Sequence, residues 1–492
     1  MLKRLTCRIL ALVLSLCLLS GTTCIYAATD LPAPMDLTSI SGRPEPPQVA
    51  AEATILMEAK TGAILYAKNA HTTYYPASIT KVMTALLTLE NCSLDEVVTF
   101  SYRATHELEE GSSSIARTEG EELSVKNCLY ALMIASANEV AQALAEHVSG
   151  SLEDFAALMT ERAKEIGCLN TNFSNPSGLN DPNHYTSAYD MALIMREAVQ
   201  NPAFVEIDST TSYYIPATNK NPEKLGIAMK HKLLQKGDSH YEYAVAGKTG
   251  YTSLAGYTLV TYAVKGDMEL ICVTLGCDTS DDRYTTTRAL FEYGFNNYTM
   301  YNVAEHDTSF NTNNELLEDD SFLGSSLISL SIPDNNWIIL PNSVPFSALE
   351  SNFAWGDSEA AANTLATVTY SYNGLPVGQA NLTVLQDEDN FQFQATNEAG
   401  SLESREGTEE ISANDKTLSA EDETEDEEKK EDEGGISWWK ILIGILLAAI
   451  LLFLLWYFFR RDRRRRRRRV RSYRHTMTGR RGRGRRKIKM RL

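Results

Sequence analysis

Hydrophobic positions along the chain change period several times, and each change predicts an element. Residues 53–67, ATILMEAKTGAILYA, read as two strands joined by a turn at Lys60-Thr61-Gly62. From Pro76 the spacing changes. Ile79, Val82, Met83, Leu86 and Leu87 recur with helical period, and Pro76 suits a helix start. LYALMIA (129–135) and EVAQALAEHV (139–148) predict helical stretches on either side of a polar break at Ser136-Ala137-Asn138. A run beginning at Lys248-Thr249-Gly250 continues as GYTLVTYAV, turns at Lys265-Gly266-Asp267 and returns as MELICVTLG, the pattern of an antiparallel meander. Between 305 and 395, short apolar runs (SSLISLSI, NWIILP, TLATVTYSY, QANLTVLQ) predict a small β-sandwich, with Gly374 and Gly378 at turns.

The ends of the chain follow different rules. Lys3, Arg4 and Arg8 precede an apolar run from Ile9 to Leu19, and small residues follow at Ala27 and Ala28. This is the layout of a secretory signal peptide over 1–28. Residues 29–50, with five prolines, read as a linker. Ile441–Phe459 is 19 residues without a charge, about 28 Å as a helix, which suffices for a bilayer core. Trp438 and Trp439 stand at one edge and Trp456 and Tyr457 at the other, so 438–459 is expected to be a transmembrane helix. Residues 460–492 hold 19 basic groups and one Asp, so the C-terminus is expected in the cytoplasm and the bulk of the chain outside.

Net charge is −18, but it is an average over unlike regions. Residues 398–435 carry 16 acidic groups against 4 basic and almost no apolar residues, so 396–437 reads as a self-repelling spacer. The large middle region is also acidic. A uniformly basic nucleic-acid binder is thereby excluded, and the Arg-rich tail lacks the interleaved aromatics of a single-strand binder. That tail reads as a stop-transfer signal able to meet anionic lipid head groups. Cys92, Cys128, Cys168, Cys272 and Cys277 remain after signal cleavage. Their odd number and irregular spacing form neither a disulfide framework nor a zinc pattern, and Cys272 and Cys277 read as core residues.

The chemistry gathers at three short segments. Ser78 and Lys81 are i, i+3, on the side of their helix away from the main apolar stripe. That side (Ala77, Ser78, Thr80, Lys81, Thr84, Ala85, Thr88) carries one charge among small uncharged residues, so a second layer is expected to cover it. Desolvation of Lys81 would then lower its pKa and make it a base for the Ser78 hydroxyl. Ser-x-x-Lys alone is weak, Ser136-x-Asn138 is noise, and Lys248-Thr249-Gly250 is a plausible turn. In this order, on helix start, loop and strand, the three form a specific set shared by class A β-lactamases and penicillin-binding proteins.

Over about residues 50–300 the sequence resembles the low-molecular-mass penicillin-binding proteins that act as serine D-alanyl-D-alanine carboxypeptidases. The segments that carry the resemblance are LMEAKTGAILYAKNA, YYPASITKVMTALLTLE, IASANEVAQALAEH, NPSGLNDPNHYTSAYDMA and AGKTGYTSLAGYTL. It implies an α/β catalytic domain over 51–300, with an antiparallel sheet flanked by helices and a helical subdomain near 85–200. A small β-rich domain follows at 305–395. It implies Ser78 as nucleophile, Lys81 as acylation base, Ser136 as proton relay, and Asn138 holding Lys81 and the substrate amide. Lys248 would supply positive potential near Ser136 and the substrate's terminal carboxylate, Thr249 would offer that carboxylate a hydroxyl, and Gly250 would let substrate lie against the strand edge, with Arg283 near that pocket. The N–H groups of Ser78 and Tyr251 would form the oxyanion hole. Gly111-Ser112-Ser113 would edge the cleft, and His184 and Asp190 would be scaffold. The expected substrate is the peptidoglycan stem pentapeptide, with β-lactams as covalent inhibitors. No metal or cofactor and no nucleic acid is expected.

A D,D-endopeptidase on peptidoglycan cross-links would share every motif. A membrane-bound β-lactam sensor would stop at the acyl-enzyme, but the 33-residue tail is short for an output domain. A class A β-lactamase would place Glu and Asn four apart after the second motif, whereas Glu165 and Asn170 are five apart. The segment KHKLLQKGDSHYEYAVAGK departs from the family's usual Asn-containing form, which touches pocket detail. The terminal layout fits the surface of a Gram-positive-type bacterium.

Overall fold

A computed structural model describes residues 31–307, 309, 329–355 and 364–385. The expected signal peptide, acidic spacer, transmembrane helix and Arg-rich tail lie outside the described residues. Among the described residues no helix is long and apolar enough to cross a membrane.

The architecture is α/β. Six strands form the central sheet: β1 (Met35–Asp36), β2 (Ala53–Glu58), β3 (Ala63–Lys68), β4 (Ala244–Thr252), β5 (Gly256–Lys265) and β6 (Met268–Cys277). Their order is β1-β3-β2-β6-β5-β4, antiparallel except for the short parallel pair β1–β3. All six residues of β2 are buried, because helices cover both faces of the sheet. Alternation along the strand divides them. Ala53, Ile55 and Met57 pack into the core with α1 (Lys81–Asn91) and α4 (Ala188–Ala198). Leu56 packs on the other face with Leu270, Cys272 and the Leu290-Phe291 pair of α6 (Ser280–Asn297). The helical layer is completed by α2 (Asn138–Ser149), α3 (Leu152–Glu165) and α5 (Pro202–Asp208).

The proline-rich stretch expected as a linker is partly built into the domain. Met35 and Asp36 pair with Ala63 and Ile64, and Leu37 and Ile40 are buried. The Arg196 guanidinium, itself buried, fixes this strap by donating to the carbonyls of Ala59, Pro32 and Lys60 at 2.6, 2.7 and 2.9 Å. Arg196→Met leaves these acceptors without a donor and is expected to cost about 2–4 kcal/mol of stability, read as a lower denaturation midpoint.

After α6 the chain enters β7 (Tyr298–Asn302) directly. It pairs with β9 (Trp337–Pro341), while β8 (Ser329–Ser331), β10 (Glu350–Trp355), β11 (Thr364–Tyr372) and β12 (Leu375–Leu385) make a four-stranded antiparallel sheet. Gly374 turns between β11 and β12 at φ +77°. Gly378 does not fall at a turn. It lies in β12 opposite Tyr370, and its bare Cα makes room for Ile338, whose Cγ1 a Cβ there would approach to 2.4 Å.

Candidate active site

The Ser78 segment begins one turn before the helix proper. Ala77–Thr80 is a 3₁₀ turn, and α1 starts at Lys81. With three residues per turn, Ser78 and Lys81 eclipse one another more closely than on an α-helix. Ala77 holds φ +52°, and the Thr258 hydroxyl on β5 donates to the Pro76 carbonyl at 2.8 Å, which pins the turn to the sheet. The small-residue face of α1 is covered by the loop 174–180. Thr84 donates to the Pro176 carbonyl at 2.6 Å, and Lys81 is fully buried.

Lys81 Nζ lies 3.2 Å from Ser78 Oγ and donates to Asn138 Oδ1 at 2.7 Å and the Ser177 carbonyl at 2.6 Å. Burial, reinforced by the positive charges of Lys248 and Lys230, holds the ammonium well below the ordinary lysine range. A neutral amine has two N–H bonds and one lone pair. The carbonyls of Asn138 and Ser177 take the two N–H bonds, so the lone pair is left for the Ser78 proton.

The second motif is placed by irregular backbone. A π-helical turn, Ala131–Ala135, ends at Ser136 in the left-handed region with φ +62°. Non-glycine residues are held there only by strong surrounding constraint. Ser136 is nearly buried and its Oγ has no partner among the described residues, so the hydroxyl is unspent at the cleft wall. Asn138 opens α2, and its N–H donates to the Ser113 carbonyl at 2.8 Å. The next residue, Glu139, is buried and accepts from Ser114 Oγ and the Ile115 N–H at 2.8 and 2.6 Å. Thus the start of α2 also organises the loop containing Gly111-Ser112-Ser113, which edges the cleft.

The third motif lies on β4, the edge strand. Lys248 is buried, and burial lowers its pKa against the opposing pull of Asp208. Thr249, Gly250 and Tyr251 line the cleft, Tyr251 being more than half exposed. A Cβ on Gly250 would stand 2.3 Å from Thr258 Oγ1 and 2.9 Å from the Ser78 N–H nitrogen, so this strand can approach the Ser78 turn only without a side chain. Arg283 is not a surface group. It is buried in the first turn of α6, donates to the carbonyls of Gly250 and Thr258 at 3.0 and 3.3 Å, and packs over Tyr257 and Tyr284.

These parts enclose an open cleft of about 400 Å³. Three contributors were not evident from the sequence. The Ser177 carbonyl is a backbone acceptor, positioned by Asn175 Oδ1, which takes the N–H groups of Ser177, Gly178 and Leu179. Lys230 lines the cleft and reaches Ser113 Oγ at 3.3 Å. Asp208, fully buried at the end of α5, accepts the Gly247 N–H at 2.7 Å, and its Oδ1 has no partner among the described residues. His184 and Asp190 hold structure. His184 Nδ1 accepts from the Ser174 N–H, which leaves Nε2–H for Thr80 Oγ1 at 2.8 Å; Asp190 takes the N–H groups of Leu169 and Asn170 and the Thr171 hydroxyl.

Asp208→Asn tests the electrostatic support. The amide oxygen keeps the Gly247 bond; burial pushes the Asp208 carboxyl up to about 7, so what is lost near neutral pH is the share of charge it turns toward Lys248. KM for a carboxylate-terminated peptide is expected to rise about tenfold without loss of thermal stability, a split visible in steady-state kinetics alongside a melt.

A buried lysine beside a serine, across from a cation-bearing edge strand, defines an active-site-serine acyl-transfer enzyme. The D-alanyl-D-alanine carboxypeptidase family model matches residues 41–279. The chain is 35% identical over 250 residues to D-alanyl-D-alanine carboxypeptidase DacF of Bacillus subtilis, covering 50% of this chain and 63% of that relative. It is 30% identical over 257 residues to D-alanyl-D-alanine carboxypeptidase DacB2 of Mycobacterium tuberculosis, covering 51% of this chain and 84% of the relative. Penicillin binding protein 5 from Haemophilus influenzae superposes with a TM-score of 0.58 at 28% identity, over 70% of this chain and 99% of that one. The chain belongs to the D-alanyl-D-alanine carboxypeptidase family of penicillin-binding serine peptidases.

Proposed function

We propose that the protein removes the terminal D-alanine from peptidoglycan stem peptides through an acyl-enzyme on Ser78. The observation that carries this reading is the Lys81 environment. Its amine is stripped of water, held by two carbonyls and aimed at Ser78 Oγ, in a cleft whose other wall bears Lys230 and Arg283, with Lys248 buried beside Thr249 on the edge strand. A free C-terminal carboxylate is the substrate group that such a wall selects.

In the proposed reaction, Ser78 Oγ attacks the carbonyl carbon of the penultimate D-Ala as its proton passes to Lys81. The oxyanion forms against the N–H groups of Ser78 and Tyr251; losing one such donor typically costs about 10²–10³ in rate. The C–N bond then breaks. Ser136 passes the proton from Lys81 to the departing amine, and D-alanine leaves. Water adds to the ester, its proton again taken through Lys81, and the C–O bond to Ser78 breaks to restore the serine. β-Lactams enter the same first step.

The same reading places the catalytic domain outside the cell, anchored by residues 438–459 with the Arg-rich tail inside; the sequence pattern of the two ends supports it. External protease added to intact cells is expected to remove the catalytic domain and leave the tail. Protection of the whole chain would refute this topology.

The test of activity is D-alanine release from a peptide ending in D-Ala-D-Ala by the full-length chain, with Ser78→Ala as control. Release that vanishes in the control, with a penicillin adduct on Ser78 by intact mass, is expected. An adduct without release, or release that survives in Ser78→Ala, overturns the proposal.

A further inference from the structure

A second cluster of reactive side chains lies at the far ends of the two helices that begin in the active site. Cys92 caps the C-terminus of α1, its N–H bonded to the Thr88 carbonyl. His147 stands in the last turn of α2. Glu96 follows Cys92 after a tight turn, closed by its own N–H donating to the Ser93 carbonyl at 3.2 Å. His147 Nε2 is 3.0 Å from Glu96 Oε2, and one ligand atom from each of the three residues lies within 4.8 Å of the others.

We infer that Cys92, Glu96 and His147 form a binding site for a single zinc ion that staples the ends of α1 and α2 together. Tetrahedral zinc with bonds of about 2.0–2.3 Å sets its ligand atoms about 3.3–3.8 Å apart, so small side-chain movements complete the geometry. One thiolate, one imidazole and one carboxylate are borderline-soft donors that suit zinc and cobalt over magnesium or calcium. The set leaves a fourth position for water.

The site has the support that metal ligands need. Glu96 Oε1 is already held by the Ser93 N–H at 2.6 Å, which leaves Oε2 to coordinate and fixes the carboxylate plane. The segment carrying Cys92 and Glu96 is itself anchored, because the Val125 and Lys126 N–H groups donate to the carbonyls of Glu96 and Leu94. His147 and Glu96 remain partly exposed, so an ion has a path in. On binding, the Cys92 thiol loses its proton to solvent, the imidazole binds neutral, and the carboxylate is already ionised.

Placement gives the site a role. α1 starts at Lys81 and α2 at Asn138, the pair joined by the 2.7 Å hydrogen bond at the catalytic centre. At about 1.5 Å per residue, the metal would sit some 14–17 Å along both helices from that bond. It acts as a brace for the helix pair and takes no part in the chemistry.

The test is a titration of reduced, metal-free full-length protein with Co²⁺. One equivalent is expected to bring up a thiolate-to-cobalt charge-transfer band that Zn²⁺ then bleaches. Cys92→Ser should lose the band, and His147→Gln should weaken Co²⁺ binding by at least tenfold. Circular dichroism before titration verifies that each variant is folded; both positions are at the surface or half-buried, and neither belongs to the active site. Zn²⁺ should raise the melting temperature of the wild type but not of Cys92→Ser, and slow alkylation of Cys92. No band in the wild type, a band that persists in Cys92→Ser, or a melting temperature insensitive to Zn²⁺ overturns the assignment and leaves His147–Glu96 as an ordinary surface ion pair.

Discussion

Replacing Lys81 by methionine is expected to lower the rate of acylation, by peptide or by penicillin, on the order of 10⁴-fold or more while the protein still folds. Methionine fills nearly the same buried volume, so no large cavity opens. It cannot accept the Ser78 proton, and without that base the hydroxyl is a poor nucleophile at neutral pH. Two opposed effects act on stability. The Asn138 and Ser177 carbonyls lose their donor, but a buried amine that resists charging is removed. The pH dependence has a definite sign. The folded-state pKa of Lys81 lies below its unfolded value, so between the two the unfolded chain holds the extra proton. Wild-type stability therefore gains with rising pH across that window from this residue, and acylation rises as the amine becomes neutral. Lys81→Met should flatten both trends. Stopped-flow acylation by a fluorescent penicillin across pH, together with melts at each pH, measures them. A variant acylating within tenfold of wild type would show that another group removes the proton.

Gly178→Ala, distant in sequence from all three motifs, is expected to damage both stability and rate. Gly178 has φ +86°, and a Cβ there would lie 1.9 Å from the Ala77 carbonyl oxygen and 2.8 Å from Thr80 Oγ1. The backbone on one side or the other must move. That costs about 3 kcal/mol or more in strain and lost contacts. It also shifts the Ser177 carbonyl off Lys81, or Ser78 out of line, and misplacement of about 1 Å can remove about 10² in rate. Ser177→Ala is the informative companion. Its carbonyl remains, and only the hydroxyl bond to Asn175 is lost. It should keep activity within a few-fold. Denaturant midpoints and D-alanine release for the pair separate the backbone's part from the side chain's.

The two variants mark where sequence reading succeeds and where it stops. Ser78 and Lys81 stand out because a helical face with one charge among small residues needs a cover, and their spacing puts them together. The cover is legible as a necessity, but its identity is not. The Ser177 carbonyl is backbone and leaves no residue-type signature, although NPSGLN is one of the segments that carry the family resemblance. The central sheet is legible from the hairpin and meander patterns, since β2 and β6 carry apolar runs long enough for strands buried on both faces. The strap at 35–36 is not, because five prolines read as a linker until Met35 and Asp36 are seen to pair with β3 and Arg196 to tie Pro32 to the β2–β3 turn. Asp208 and Lys230 reach the site from segments with no local pattern, brought in by tertiary packing alone. Cys92 and Glu96 are neighbours in sequence, but His147 joins them only when α1 and α2 lie side by side.

The position of β4 at the sheet's edge has a consequence for the solubility of the protein. An unpaired strand edge nine residues long is a template on which another chain can add, and proteins normally blunt such edges with charge, bulges or covering segments. Here α5, whose Asp208 takes the Gly247 N–H, covers part of the edge, and the active site covers much of the rest. The Ala77–Thr80 turn packs against β4, and the 109–113 loop helps to bound the cleft beside it. The opening that remains suits a short extended peptide. Walls that position a substrate thus also guard against aggregation, and variants that widen the cleft should be judged for self-association as well as for rate.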